Sequence, residues 1–247
     1  MTQRTRRIAA RFGAAASSYD AAAHLQRAVA GRLAQDIAEL MPAPPARILE
    51  FGCGTGFLTA HLKALWPEAL LLATDLSPAM ASAARTRLGV AAATMDAERP
   101  ALRDGSFDLV CGSLAAQWFS DAPAALRGLK SLLAPDGVLA LTTLGPKTFA
   151  EWRAARTAAG LPPGGLSYRP LSDLTESTGA APLLARAELR HEPFASGQDF
   201  LGDLRAIGAD ASEAAPLAPG TLRRALRELE RGASSVTYEV LTLAWKG

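Results

Sequence analysis

The stretch Ile48-Leu49-Glu50-Phe51-Gly52-Cys53-Gly54-Thr55-Gly56-Phe57-Leu58 reads as an apolar strand running into a glycine-rich turn and then a helix. Glycines in such a turn let the backbone bend sharply and approach a ligand with no Cβ in the way. A dinucleotide-binding G-x-G-x-x-G would need its third glycine at position 57, where Phe57 stands, so the spacing is G-x-G-x-G instead. No Gly-Lys-Ser/Thr follows, which excludes a phosphate-binding P-loop. Glu50, just before the first glycine, would repel a pyrophosphate and attract a cation. The ligand implied is positive and lacks phosphates.

Outward from this turn, strands and helices alternate from Arg47 to about Thr143. Apolar runs stand at Ile48–Phe51, Leu70–Thr74, Ala91–Met95, Phe107–Cys111 and Val138–Thr143. Between them the sequence predicts a helix opening at Thr55, a second capped by Ser77 with Pro78 at its first position and closed by Gly89, and a third from Asp121 to Leu133 before Pro135. Nearly continuous apolar strands joined by helices are the pattern of a parallel sheet covered on both faces, a doubly wound α/β fold. Asp75 follows Gly56 by nineteen residues, at the carboxyl end of the second strand, where an acid accepts hydrogen bonds from both ribose hydroxyls. Asp96, in Met95-Asp96-Ala97, ends the third strand in a position to accept from an exocyclic adenine amine.

Upstream, Asp20 reads as the N-cap of a helix whose apolar positions are Leu25, Val29, Leu33, Ile37 and Leu40, stopped by Pro42, Pro44 and Pro45. Downstream, Gly145 to Ala185 breaks the alternation with glycines, prolines and short helical pieces, and reads as a lid over the carboxyl ends of the strands. Strand patterns return at Ala187–Pro193 and Val236–Trp245.

At 49% hydrophobic and 20% charged, 247 residues supply a substantial core. A net charge of +2 from 26 basic and 24 acidic residues calls for neither nucleic acid nor an anionic membrane as principal partner. The apolar runs, such as the one ending at Ala73, fall short of the ~20 residues of a membrane span. Cys53 and Cys111 lie inside apolar stretches and read as reduced core thiols of a cytoplasmic protein. His24, His61 and His191 show no ligand spacing, so no protein-bound metal is expected. The first eighteen residues are Arg-rich and acid-free; a solvated basic arm is preferred to a transit peptide.

The glycine turn with its three strand-end acids resembles the class I S-adenosylmethionine-dependent methyltransferases, whose E/DxGxGxG turn holds the methionine part of the cofactor. The resemblance implies a Rossmann-like, mostly parallel seven-stranded sheet with an N-terminal helical arm and a lid insertion. It assigns Glu50, Gly52, Cys53, Gly54 and Gly56 to the methionine side and Asp75 to the ribose. Leu76, Asp96 and Ala97 go to the adenine, and Ser113 joins the cofactor set. A narrower resemblance rests on Arg11-Phe12-Gly13, Ala15-Ala16, Tyr19-Asp20 and His24-Leu25-Gln26, which are similar to the amino-terminal signature of the malonyl-acyl carrier protein O-methyltransferases of biotin synthesis. Thr74 to Met80, Ser113 to Trp118, Leu141 to Leu144 and Leu204-Arg205-Ala206-Ile207-Gly208-Ala209 match as well, whereas Gly145–Ala185 departs most. One methyltransferase unit over 1–247 is implied, with an arm (1–45), a cofactor-binding half (46–144), a lid insertion (145–185) and the C-terminal part of the sheet (186–247).

The implied reaction methylates the free carboxylate of malonyl-acyl carrier protein or malonyl-CoA. That carboxylate is already ionised at neutral pH, so no general base is required. The protein must supply in-line placement, water exclusion and a cation. Arg205 is the expected carboxylate clamp, unless it is a surface arginine. Tyr19 either covers the sulfonium, donates to substrate, or staples the arm; Gln117 and Trp118 line the pocket, or Trp118 is core. A typically acidic carrier would meet Arg4, Arg6, Arg7 and Arg11 on the arm, or Arg223, Arg224, Arg227 and Arg231 late in the chain. The alternatives are another methyltransferase of small acids or quinone precursors, or an arginine-hydroxylase-like respiratory-complex assembly factor.

Overall fold

The computed structural model describes residues 2–209 and 217–247. Seven strands form one sheet: β1 (Arg47–Phe51), β2 (Leu70–Asp75), β3 (Ala91–Thr94), β4 (Phe107–Gly112), β5 (Leu133–Leu144), β6 (Leu184–Pro193) and β7 (Ser235–Lys246). Their order is β3-β2-β1-β4-β5-β7-β6. The pairs among β1 to β5 are parallel, while β7 runs antiparallel to both β5 and β6. The strand order reverses at β1, between β2 and β4, where a doubly wound sheet opens a crevice beyond its carboxyl ends.

The central strands are apolar on both sides because both faces are covered. Ile48, Leu109 and Val138 pack with Leu33, Ile37, Leu58 and Leu62 of α3 (His24–Leu40) and α4 (Phe57–Leu65). Leu49, Phe51, Val110 and Leu139 pack on the opposite face with Leu126 and Leu129 of α6 (Ala122–Ser131) and with Trp245. Each such side chain contributes about 1.5–3 kcal/mol on burial. α5 (Pro78–Leu88) follows its local chemistry: Ser77 Oγ accepts from the Met80 amide, and Gly89 closes the helix in the left-handed conformation at φ 63°.

Three expected boundaries move. Asp20 does not cap the long helix. It lies in a short helix, α2 (Tyr19–Ala22), and the chain breaks at fully buried Ala23 before α3. The Asp20 carboxylate is used across the molecule instead, accepting from Thr55 Oγ1 at 2.5 Å and pairing with Arg87 Nη1 at 2.7 Å. α4 opens at Phe57 rather than Thr55, because Gly56 stands at φ 96° outside any helix. α6 ends at Ser131, and Leu133, Ala134 and Pro135 belong to β5. The register against β4 slips between Phe107 and Leu109, so Pro135 falls at an irregularity that needs no ladder donor.

The amino-terminal arm is α1 (Gln3–Ala15), capped by Thr2 and buried through Ile8 and Ala9, with α5 among the elements it touches. The Gly145–Ala185 stretch holds α7 (Ala150–Ala158) and α8 (Leu171–Glu176). Glu151, in the first turn of α7, accepts from the Thr237 amide at 2.9 Å and Thr237 Oγ1 at 2.5 Å, which fastens this segment to β7. After β6 come α9 (Gly197–Ala206) and α10 (Pro219–Gly232). No helix among the described residues is long and apolar enough to cross a membrane.

Candidate active site

The glycine turn leaves β1 at the reversal point, with Gly52 at φ 62° and Gly54 at φ 55°. Neighbouring β2 holds it in shape. The Cys53 amide donates to the Thr74 carbonyl at 2.9 Å, and the Gly54 amide donates to Asp75 Oδ2 at 2.9 Å. The other carboxylate oxygen of Asp75 accepts from the Ser77 amide at 2.8 Å, so one side chain ties the turn to the cap of α5. Burial raises the Asp75 pKa, and the two amides counter that rise.

Glu50 is 1% exposed beneath the turn and accepts from Thr59 Oγ1 at 2.6 Å. Burial pushes its pKa up to about 8; the Thr59 hydrogen bond opposes that rise and the nearby Asp75 charge adds to it. Cys53 and Cys111 are buried free thiols, both pushed up by burial. Asp96 lies two residues beyond the end of β3, in the loop, with Oδ1 accepting from the Glu98 amide at 3.1 Å. Leu76 and Ala97 are partly buried beside these acids. Ser113, just past β4, stands 3.3 Å from Thr142 Oγ1 through its hydroxyl.

Tyr19 covers the turn: the position of a Cβ on Gly54 would lie 4.0 Å from its ring, and the ring tilts on Phe57 at 6.0 Å. Burial first, then the charges of Asp75 and Asp20, raise its pKa, so the phenol stays neutral. Gln117 is held at both ends of its amide, donating to the Leu114 carbonyl at 2.5 Å and accepting from Thr143 Oγ1 at 3.3 Å. Trp118 meets the edge of Phe12 on α1 at 5.3 Å, and Arg4 donates to its carbonyl at 2.6 Å. The arm is thereby stapled onto the segment after β4.

Tyr19, Gln117 and Trp118 share a cavity of about 800 Å³ with Phe149, Trp152, Arg156, Tyr168 and Tyr238. Arg205 also reaches it, but from the last turn of α9, where it is exposed at the mouth rather than enclosed in the dry pocket expected for a clamp. Position 208 explains its neighbourhood: a Cβ on Gly208 would lie 3.0 Å from the Arg11 carbonyl oxygen, and Ser18 Oγ donates to the Ala206 carbonyl at 2.9 Å. The Arg11–Tyr19 and Arg205–Ala209 signatures, far apart in sequence, are two sides of one contact. The sequence reading missed Phe149, Trp152, Arg156, Tyr168 and Tyr238. Trp152 and Arg156, spaced i, i+4 in α7, were the legible signal.

Fold and site together define a class I methyltransferase. A methyltransferase-domain family model matches residues 49–141. The chain is 38% identical to the malonyl-[acyl-carrier protein] O-methyltransferase of Magnetococcus marinus, with 96% of this chain and 91% of that protein aligned. It is 33% identical to that of a Paenibacillus species, covering 87% and 85% of the two chains. The protein belongs to the malonyl-[acyl-carrier protein] O-methyltransferase family. It is also 41% identical over 98% of its length to the biotin biosynthesis bifunctional protein BioCD of Bordetella avium, of which it spans only 52%. Solved structures share the fold at low identity. The YcgJ protein of Bacillus subtilis aligns with a TM-score of 0.61 at 16% identity, covering 87% of this chain and 98% of that one. A Thermotoga maritima SAM-dependent methyltransferase aligns at 0.58 and 17%, covering 96% and 98%.

Proposed function

We propose that this protein binds S-adenosylmethionine on the Glu50–Gly56 turn and methylates the free carboxylate of a malonyl thioester carried by acyl carrier protein or coenzyme A. One observation carries the reading. Four arginines (Arg7, Arg11, Arg156 and Arg205) line the cavity beside the turn, and among the described residues no Asp, Glu or His lines it. A cavity of that character suits an anion that needs orientation and no base. The names of the relatives favour this reaction over the small-acid, quinone and hydroxylase alternatives.

The turn fits the cofactor by its own chemistry: backbone without Cβ, a buried acid facing a cationic ligand, and Asp75 as ribose acceptor. Leu76, Asp96, Ala97 and Ser113 complete that side. When bound, S-adenosylmethionine supplies a methyl group already activated on sulfonium. The chain's own residues then orient and dehydrate: Tyr19 closes over the turn, Gln117 and Trp118 form the wall, and Arg205 steers the anion at the mouth. Residues 1–45 act as arm, 46–144 as cofactor half, 145–185 as lid and 186–247 as sheet completion of a single catalytic unit. Two buried unpaired thiols are in keeping with the cytoplasm.

Methyl transfer to malonyl-carrier is expected to exceed transfer to succinyl-carrier and to free malonate. Arg205→Ala should raise KM several-fold, as a screened, exposed cation does, and leave kcat nearly intact. Equal rates on the three acceptors would refute the assignment.

Glu50 adds a linked proton. Its folded pKa of about 8 lies above the ordinary 4.5, so the ligand-free fold gains stability from the protonated acid below 4.5 and loses it as pH rises through about 8. A cationic cofactor favours the ionised form, so binding at neutral pH should expel a proton and tighten as pH rises toward 8. Calorimetry in buffers of different ionisation heat measures that release. Glu50→Gln should bind weakly and release none; unchanged release in this variant would show that another group titrates.

A further inference from the structure

Of the four cavity arginines, the one on the lid differs from the others. Arg156 of α7 is 9% exposed, whereas Arg7, Arg11 and Arg205 are exposed at the cavity's edge. Its Nε donates to the Pro162 carbonyl at 2.9 Å, and its guanidinium carbon lies 5.8 Å from the centre of the Trp152 ring. Gly164, at φ 64°, is pressed against the guanidinium: a Cβ there would stand 2.7 Å from Cζ and from Nη2. The side chain is therefore held at its Nε edge by Pro162 and pressed by the Gly164 backbone. Its two Nη groups have no hydrogen-bond partner and no carboxylate among the described residues. Among the described residues Trp245 Nε1 alone is a buried side-chain polar atom without a partner, so the open Nη groups of Arg156 face the cavity, where a bound anion completes them.

The surrounding cavity wall adds neutral donors. Tyr168 and Tyr238, both lining the cavity, have hydroxyls with no protein hydrogen bond among the described residues. Burial pushes the Tyr168 phenol up to about 12 and raises that of Tyr238, so both remain protonated donors.

We propose that Arg156, through its paired Nη groups and within the cavity that the Tyr168 and Tyr238 hydroxyls also line, is the residue that reads the substrate's carboxylate and excludes uncharged acyl groups. This rests on the proposed carboxyl methylation and deepens it: Arg156 determines specificity within the cavity, and Arg205 acts at its mouth. The planar fork matches a carboxylate oxygen pair, which an ammonium cannot do.

The test measures the affinity of malonyl-carrier against its neutral amide isostere, malonamoyl-carrier, in wild type, Arg156→Gln, Arg156→Lys and Arg205→Gln. Cofactor affinity and thermal unfolding are measured alongside as checks on the fold. Wild type should prefer the charged ligand roughly thirtyfold. Arg156→Gln should bring the ratio to near one with cofactor affinity retained, Arg156→Lys should keep an intermediate ratio, and Arg205→Gln should keep most of it. An Arg156→Gln protein that weakens both ligands alike and keeps the ratio overturns the assignment to Arg156 alone. A wild-type protein that binds the two ligands equally overturns the carboxylate reading itself.

Discussion

Asp75→Ala is expected to bind S-adenosylmethionine roughly ten- to a hundredfold more weakly, a loss of about 1.5–3 kcal/mol. The size follows from two duties of one carboxylate. In the proposed cofactor site it accepts from the ribose, and it holds the Gly54 and Ser77 amides on separate oxygens. Alanine removes the proposed ligand contact and leaves two backbone donors unpaired, Gly54 in the turn and Ser77 at the cap of α5. Asp75→Asn separates these duties, since one carbonyl oxygen still accepts while the amide nitrogen cannot. It should fall between the parent and Asp75→Ala. Calorimetry showing parental affinity for Asp75→Ala would mean that the cofactor's ribose lies elsewhere.

Gly52→Ala should be more damaging still, because fold and site share this residue. At φ 62° an L side chain is strained, and the added Cβ would stand 2.4 Å from Ala115 Cβ. Strain of about 1–2 kcal/mol and overpacking of about 1–3 kcal/mol together give roughly 2–5 kcal/mol of destabilisation. Whatever relief occurs must move the turn or the segment carrying Gln117 and Trp118, so cofactor affinity should fall with stability. Denaturant unfolding and cofactor titration check the two losses. A Gly52→Ala protein of parental stability would show that the turn has slack, which its hydrogen bonds to β2 argue against.

What could be read from the sequence was set by local chemistry. The β1 run is apolar on both faces, and its register against β2 puts Glu50 opposite Ala73 and Phe51 opposite Thr74, so the acids at the strand ends fall together. Ser77, Pro78 and Gly89 specify their helix with no help from elsewhere. Asp20 misled because its carboxylate bonds Thr55 and Arg87, contacts made only after folding, while the adjacent break at Ala23 is fixed by core packing. Pro135 misled because a register slip in β5 absorbs it. Arg156 was unreadable as a buried residue because Pro162 and Gly164, on the following loop, close over it.

The position of β7 has a consequence for how the molecule is made on the ribosome. Among the described residues β6 pairs with β7 alone, and β7 enters between β5 and β6 although it follows both in the sequence. β1 to β5 can assemble as soon as residue 144 clears the exit tunnel. α7, fastened to Thr237, and β6 must wait for residues 235–246. The parallel pairs among β1 to β5 are therefore available before β7 brings Trp245 to the core and Tyr238 to the cavity wall.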